Sequence, residues 1–252
     1  MPSKTLSVGI VSEGATDQYI LGIILQEISS SMNIDFEIRS IQPKYDAIND
    51  QWEKGGWGLV YAWCKNIVKE HNSLEKFITD TGIDLLILQI DADVIYMKYT
   101  DCPSIVPEPS DFPIPISTPC PDTGCNLPCH AIDAIPKLLS SWVHSKNMPE
   151  CVVLCTPSKS LDAWVVATMP LTDFRKDQID QNLLTILNKK LECTLNPEQC
   201  FDYSDKIGKS LRSYKNYSAT IKNNLQDTYK YCTMAQIFRD NFSKTLMRLA
   251  NV

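Results

Sequence analysis

Short apolar runs alternate with amphipathic stretches through the first two thirds of the chain. Runs 6–11, 84–90 and 151–155 carry few polar residues, which is typical of strands buried on both faces. Segment 36–41 alternates apolar and polar positions and predicts a further strand. Because a helical pattern separates successive strands, we expect an α/β fold with a mostly parallel sheet and helices on both faces.

Amphipathic periodicity predicts the helices between these strands. The polar segment 42–56 is predicted to be a loop. Thr16 or Asp17 can cap the first helix, and Ser158 or Ser160 the last helix of this part. The predicted helices cover about 16–30, 57–72, 132–145 and a segment that starts near 160.

The pattern changes near residue 170, after which helices and polar connectors follow without a convincing strand. We therefore predict an α/β domain at 1–170 and a helical C-terminal region at 171–252. The first domain contains an insertion rich in cysteine and proline at about 97–130. A connection of that length within a compact domain is usually functional or cross-linked.

Composition narrows the class of protein. The 252 residues include 24 basic and 30 acidic ones, a formal net charge of −6, which argues against a protein that coats duplex nucleic acid. No apolar run approaches the roughly 18 residues that would span a bilayer. The opening Met-Pro-Ser-Lys-Thr lacks the apolar core of a signal peptide. We therefore expect a cytoplasmic protein that does not associate with membranes.

Carboxylates directly follow two of the apolar strands. Glu13 comes after the first strand, and Asp91 and Asp93 come after the third. Ligands bind at the carboxyl ends of parallel strands, so these side chains meet at one edge if the two strands are neighbours. Like charges at close range disfavour joint ionisation, which a bound cation relieves. Oxygen ligands of this kind suit Mg²⁺ or Mn²⁺.

These turns carry a family resemblance. Val11-Ser-Glu-Gly-Ala-Thr-Asp17 and Gln89-Ile-Asp-Ala-Asp93 are similar to the glutamate and Asp-x-Asp turns of the Toprim fold. That fold occurs in topoisomerases, primases and the overcoming-lysogenization-defect (OLD) nucleases, and the OLD-like branch is the most similar. Segments 157–164 and 231–238 also resemble parts of small stand-alone Toprim-like proteins. The chain departs from the family in its insertion and in having Asp162 where glutamate is more usual.

The resemblance implies a Toprim-like, Rossmann-like α/β fold and a Mg²⁺-dependent nuclease that cleaves phosphodiester bonds. It implies that Asp91 and Asp93 hold the metal and that Glu13 is a ligand or general base. Asp162 is a candidate ligand for a second metal ion. Two lysines are candidates to contact a phosphate, Lys44 and Lys159.

The resemblance also bears on partners. The expected substrate is DNA or tRNA, and the expected setting is an anti-phage defence system. OLD-like effectors commonly work with an ATPase, and because this chain has no Walker motif, an ATPase would be a separate partner. Two alternatives stay open: a catalytically silent Toprim-like module that binds a partner protein or nucleic acid, and a phosphohydrolase of small molecules.

The insertion suggests a second metal. Cys120-Pro-Asp-Thr-Gly-Cys125-Asn-Leu-Pro-Cys129-His130 places several soft ligands close together, with Cys102 upstream. Structural zinc takes four sulfur or nitrogen ligands. The predicted set is Cys102, Cys120, Cys125 and either Cys129 or His130, although the spacing lacks a paired Cys-x2-Cys. A disulfide and free thiols are the alternatives.

Overall fold

A four-stranded parallel sheet forms the centre of the computed structural model, which describes residues 5–46, 51–97, 99, 102, 129–157, 160–169 and 211–250. The sheet has the order β2-β1-β5-β6, and β3 and β4 form a short antiparallel pair. The strands are β1 (Leu6–Val11), β2 (Phe36–Gln42), β3 (Tyr45–Asp46), β4 (Gln51–Trp52), β5 (Leu85–Gln89) and β6 (Val152–Cys155).

Helices connect the strands of the sheet and form most of residues 211–250. A 3₁₀ turn at Ala92–Tyr96 follows β5 directly. The α-helices of the described residues are α1 (Ala15–Met32), α2 (Trp57–His71), α3 (Leu74–Thr81), α4 (Cys129–Trp142), α5 (Asp162–Ala167), α6 (Leu211–Asn223), α7 (Leu225–Tyr231) and α8 (Thr233–Ala250).

Alternate side chains of the strands enter two different hydrophobic clusters. Leu85 and Ile87 pack with α1, α5 and the three C-terminal helices, whereas Leu86 and Leu88 pack with α2, α3 and α4. All four side chains have no exposed surface. The stretch 85–88 is therefore apolar throughout because both of its faces are covered, as the sequence predicts. The predicted α/β architecture, with helices on both faces of a parallel sheet, is confirmed.

The C-terminal helices share a cluster with the sheet. The Phe238 and Phe242 rings of α8 stack with centroids 6.2 Å apart, and Phe36 of β2 meets Phe242 edge-on at 6.1 Å. Both α8 rings are buried in the cluster that contains β1 and α1. The boundary near residue 170 stays a prediction, because residues 170–210 lie outside the described part of the chain.

Three local predictions differ from the structure. Gly14, not Thr16 or Asp17, is the N-cap of α1, and it has no side chain with which to bond the first turn. The segment 42–56 contains the β3–β4 pair. The short helix α3 was not expected; the Ser73 side chain caps it by accepting a hydrogen bond from the backbone N–H of Lys76.

The sheet order brings the ends of β1 and β5 together. The chain goes from β1 to β2 on one side, then crosses to β5 on the other side of β1, and Val11 pairs with Leu88. This reversal is a topological switch point, where α/β sheets bind their ligands. The turns that carry Glu13 and Asp91 are consequently neighbours. In the described part of the chain, no helix is long and apolar enough to cross a membrane.

Candidate active site at the ends of β1 and β5

The turns after β1 and β5 are joined by a direct hydrogen bond. The Oε1 atom of Glu13 accepts the backbone N–H of Asp91 at 2.7 Å. Asp91 is only 5% exposed, whereas Glu13 is half-buried. The glutamate side chain therefore reaches across the switch point and holds the other turn in place.

Gln89, the last residue of β5, bonds to both turns through its side-chain amide. Its Oε1 accepts the backbone N–H of Glu13 at 3.0 Å, and its Nε2 donates to Oδ1 of Asp91 at the same distance. The amide oxygen thus accepts from an N–H group and the amide nitrogen donates to a carboxylate, as their chemistry requires. Gln89 has no exposed surface, so the Asp91 carboxylate and the Glu13 backbone are fixed through a buried polar side chain.

A glycine loop packs against the other side of the Glu13 turn. The backbone N–H of Gly56, at the start of α2, donates to the carbonyl of Glu13 at 2.6 Å. A Cβ atom on Gly55 would lie 2.3 Å from the same carbonyl oxygen and 3.2 Å from the Cα of Gly14. No side chain fits in that space, so glycine at position 55 allows the loop to approach the turn.

A second buried aspartate, Asp17, adds negative charge to this region. Asp17, in the first turn of α1, is 5% exposed, and its Oδ2 would lie 3.0 Å from a Cβ atom on Gly14. Burial raises the pKa of the Cys155 thiol well above its usual range, and the charges of Asp91 and then Asp17 add to that rise. Both aspartates therefore lie close enough to Cys155, the last residue of β6, to disfavour its thiolate form, and the thiol stays protonated.

Asp162 belongs to the same acidic region but is held by another element. It starts α5, is 3% exposed, and accepts a short hydrogen bond on Oδ1 from the hydroxyl of Tyr214 in α6. Burial raises the pKa of Tyr214, followed by the charge of Asp162 and its hydrogen bond, and then by the charges of Asp17 and Asp91. Tyr214 thus lies within the electrostatic field of all three aspartates.

The third predicted ligand is placed only in part. Asp93 lies in the 3₁₀ turn that begins directly after Asp91, and its side chain is outside what the structure describes. Among the side chains that are described, no group of three histidine, cysteine, aspartate or glutamate residues has a metal-binding arrangement. A metal at this edge stays a prediction, and Asp93 is essential to it.

The remaining predicted contacts fall elsewhere. Lys44 is exposed and lines a separate cavity of about 760 Å³ beside β2 and α2. Lys159 lies outside the described residues, as do Cys120 and Cys125 of the predicted zinc site. Cys102 is partly exposed, and Cys129 begins α4 with its side chain outside the description.

Three residues of this region were not assigned a functional role by sequence reasoning: Asp17, Gln89 and Tyr214. Gln89 had a signal, since it is the one polar residue in the run Leu85–Ile90. Asp17 follows a glycine turn and was interpreted as a cap. Tyr214 gives no signal at all, because it lies 52 residues from its partner Asp162.

The geometry defines a class: an α/β protein with a carboxylate network at its switch point. No family model, curated protein or solved structure matches the chain. The resemblance to Toprim proteins therefore stays a prediction that rests on the two turns and their order.

Proposed function

We propose that this protein is a Toprim-like, Mg²⁺-dependent nuclease whose active site lies at the ends of β1 and β5. The observation that carries the proposal is the pairing of the two turns. Glu13 and Asp91 follow neighbouring parallel strands, and the Glu13 side chain bonds the Asp91 backbone at 2.7 Å. This is the place at which α/β sheets bind ligands, and it holds the two residue types that the family resemblance requires there.

The donor set supports a hard divalent cation. The candidate ligands Glu13, Asp91 and Asp93 offer only oxygen atoms, which is the preference of Mg²⁺ and Mn²⁺. Asp91 and Asp17 are both buried, and a cation bound nearby would offset part of the cost of burying ionised carboxylates. A bound ion at this edge would polarise the phosphoryl oxygen and stabilise the leaving oxygen.

Each residue of the site has its own role in the proposed reaction. Asp91 and Asp93 hold the cation, with Asp162 a candidate for a second one. Gln89 holds the Asp91 carboxylate and the Glu13 backbone in fixed positions relative to each other through its two hydrogen bonds. Glu13 takes the proton of the water that attacks phosphorus, and the bond to the leaving oxygen breaks as the new P–O bond forms. The substrate is DNA or tRNA, and a separate ATPase partner fits the OLD-like resemblance.

One observation favours the alternative of a catalytically silent Toprim-like module. The Oε1 atom of Glu13 already accepts a hydrogen bond from the backbone N–H of Asp91. A silent module would use the same sheet edge to bind a partner protein or nucleic acid without cleaving it.

A cleavage assay with Mn²⁺ on plasmid, single-stranded DNA and tRNA tests the proposal. We expect the wild type to cleave at least one substrate and the Asp91→Ala/Asp93→Ala variant to cleave none. A matched control removes two exposed carboxylates, Asp133 of α4 and Asp227 of α7, and should keep full activity. Circular dichroism verifies that each variant folds. Equal cleavage by the Asp91→Ala/Asp93→Ala variant, or none by the wild type, would favour the silent module.

A further inference from the structure

A second cavity, of about 510 Å³, opens beside the first turn of α1. Its walls come from α1, the end of β2, the β3–β4 pair and α6. The side chains that matter here are Gln18, Tyr45, Trp52 and Lys215. The volume lies in the range of pockets that bind small molecules. The mixture of aromatic, amide and cationic groups makes this cavity chemically different from the acidic region next to it.

Two aromatic rings form one wall. Tyr45 and Trp52 lie directly opposite each other in the β3–β4 pair, with ring centroids 5.4 Å apart and planes inclined by 55°. Tyr45 is 45% exposed, one of the most exposed large hydrophobic side chains of the described residues. Aromatic side chains of this kind, presented at the mouth of a cavity, are typical platforms for stacking a planar ring.

Gln18 gives the opposite wall an unsatisfied acceptor. The residue is 5% exposed, and its Nε2 donates to the carbonyl of Pro43 at 2.9 Å, which fixes the orientation of the amide. Its Oε1 is buried and accepts no hydrogen bond from any residue that the structure describes. A buried acceptor without a donor is costly, and a ligand N–H group that reaches it removes that cost.

Two residues of the cavity lining are close in sequence to the candidate active site. The backbone N–H of Gln18 donates to the carbonyl of Gly14, the residue after Glu13, at 3.1 Å. Lys215 directly follows Tyr214, whose hydroxyl binds Asp162. Lys215 is exposed and lines the cavity, so its ammonium is placed to meet an anionic group of a ligand.

We propose that this cavity binds an unpaired base of a single-stranded nucleic acid, an inference that rests on the proposed function and specifies its substrate class. The base stacks on the face of one ring of the Tyr45–Trp52 pair and contacts the other ring at its edge, because the two ring planes are inclined by 55°. One of its N–H groups donates to Oε1 of Gln18. Lys215 meets a neighbouring phosphate. Because Nε2 of Gln18 is already used, the site reads a donor on the base and not a donor–acceptor pair.

This occupant explains all of the groups together. A nucleobase has a flat π surface, N–H donors at its edge and a phosphate attached through its sugar. A base inside a duplex exposes neither face for stacking, so the cavity favours single strands, loops or ends. An aliphatic ligand would leave Gln18 unsatisfied, and a simple anion would leave the aromatic pair unused.

The test is a binding experiment in EDTA, which removes metal and prevents cleavage. The probes are a fluorescein-labelled oligo(dA) of about twelve nucleotides and an abasic oligomer of equal length. Fluorescence anisotropy with the full chain should show tighter binding of oligo(dA). Tyr45→Ala and Trp52→Ala should each weaken oligo(dA) binding by about five-fold to about 150-fold, the effect of losing one stacked ring. Tyr231→Ala, which removes an exposed tyrosine of α7, is the matched control and should change nothing.

Gln18→Met keeps the volume and removes the acceptor, together with the hydrogen bond that Nε2 donates to the Pro43 carbonyl. It should weaken oligo(dA) binding by about five-fold to ten-fold and leave the abasic oligomer unaffected. Equal affinity of the wild type for both oligomers, no binding of oligo(dA), or wild-type binding by Tyr45→Ala and Trp52→Ala would overturn the inference. If base-dependent binding occurs without Mn²⁺-dependent cleavage, the nuclease proposal is wrong and the proposed base-binding pocket is supported. If cleavage occurs but oligo(dA) and the abasic oligomer bind equally well, only the proposed base-binding pocket is wrong.

Discussion

At the scale of single residues, Glu13 has two tasks that a substitution can separate. Its side chain secures the Asp91 turn, and in the proposed reaction it accepts a proton. Glutamine retains an Oε1 that can accept the Asp91 N–H, so Glu13→Gln should fold normally. It cannot act as a base, so we expect Mn²⁺-dependent cleavage to fall at least ~10²-fold. Single-turnover rates measure this, with the exposed Glu75→Gln of α3 as the control. A wild-type rate in Glu13→Gln would reduce Glu13 to a turn residue.

Gly55 offers a second test at this scale. In Gly55→Ala the new methyl group would lie 2.3 Å from the Glu13 carbonyl, so the loop or the turn must move. Overpacking of this kind costs typically about 1–3 kcal/mol of unfolding free energy, and here it should also impair cleavage. Gly22→Ala in α1 is the control, because its Cβ would meet only Ile38 at an ordinary 3.6 Å.

The control should behave in the opposite way. Replacing a helical glycine with alanine stabilises a helix by about 1 kcal/mol, so Gly22→Ala should raise the urea midpoint, whereas Gly55→Ala should lower it. A wild-type urea midpoint and a wild-type cleavage rate in Gly55→Ala would mean that the close contact with the Glu13 turn has no functional weight.

At the scale of elements, the Tyr214 hydroxyl ties α6 to the start of α5. Tyr214→Phe removes one buried hydrogen bond to a carboxyl group, worth about 1.5–3 kcal/mol of stability near neutral pH. The folded-state pKa of Tyr214 is raised above that of the unfolded chain, about 10. The folded protein therefore keeps the phenolic proton when the unfolded chain releases it, and this contribution is lost as the pH rises above about 10.

The stability difference between wild type and Tyr214→Phe should consequently shrink between about pH 9 and about pH 11. Urea unfolding at several pH values measures it. Burial also raises the pKa of Tyr229, but that residue is present in both proteins and cancels in the comparison. A difference that stays constant over this range would mean that Tyr214 is not held as a protonated donor.

Strands and long helices could be predicted from the sequence because their signals are local. The stretch 85–88 of β5 is apolar since both faces are covered, and α2 shows its periodicity directly. The β3–β4 pair could not be predicted, because two-residue strands gain their order from the Tyr45–Trp52 contact and not from a pattern. The short helix α3, in contrast, could have been predicted, because Ser73 at its N-cap and Gly82 at its C-cap are local signals.

The same division applies to the site. Glu13 and Asp91 could be predicted because a carboxylate after a buried strand is visible in the sequence. The Tyr214 contact could not, because it depends on how α6 packs on α5 after a long connection. Gly55 likewise acquires its meaning only from the approach of its loop to the Glu13 carbonyl.

At the scale of the whole molecule, the insertion at about 97–130 carries a prediction of its own. If Cys102, Cys120, Cys125 and Cys129 or His130 bind zinc, protein purified without chelators should contain about one equivalent, since a structural site is closed and four-coordinate. Elemental analysis measures this directly. Zinc-free protein would leave the insertion as a cysteine-containing segment with no metal.

The central claim is that Asp91 holds a divalent cation where β1 and β5 end, and Mn²⁺ binding followed by titration calorimetry tests it most directly. Asp91→Asn is the sharpest variant, because its Oδ1 can still accept from Gln89 while its charge is lost. Asp133→Asn, an exposed change on α4, is the control. We expect the wild type and the control to bind Mn²⁺ alike, and Asp91→Asn to bind it at least about ten-fold more weakly. Equal Mn²⁺ affinity in Asp91→Asn, or no binding by the wild type, would contradict the claim.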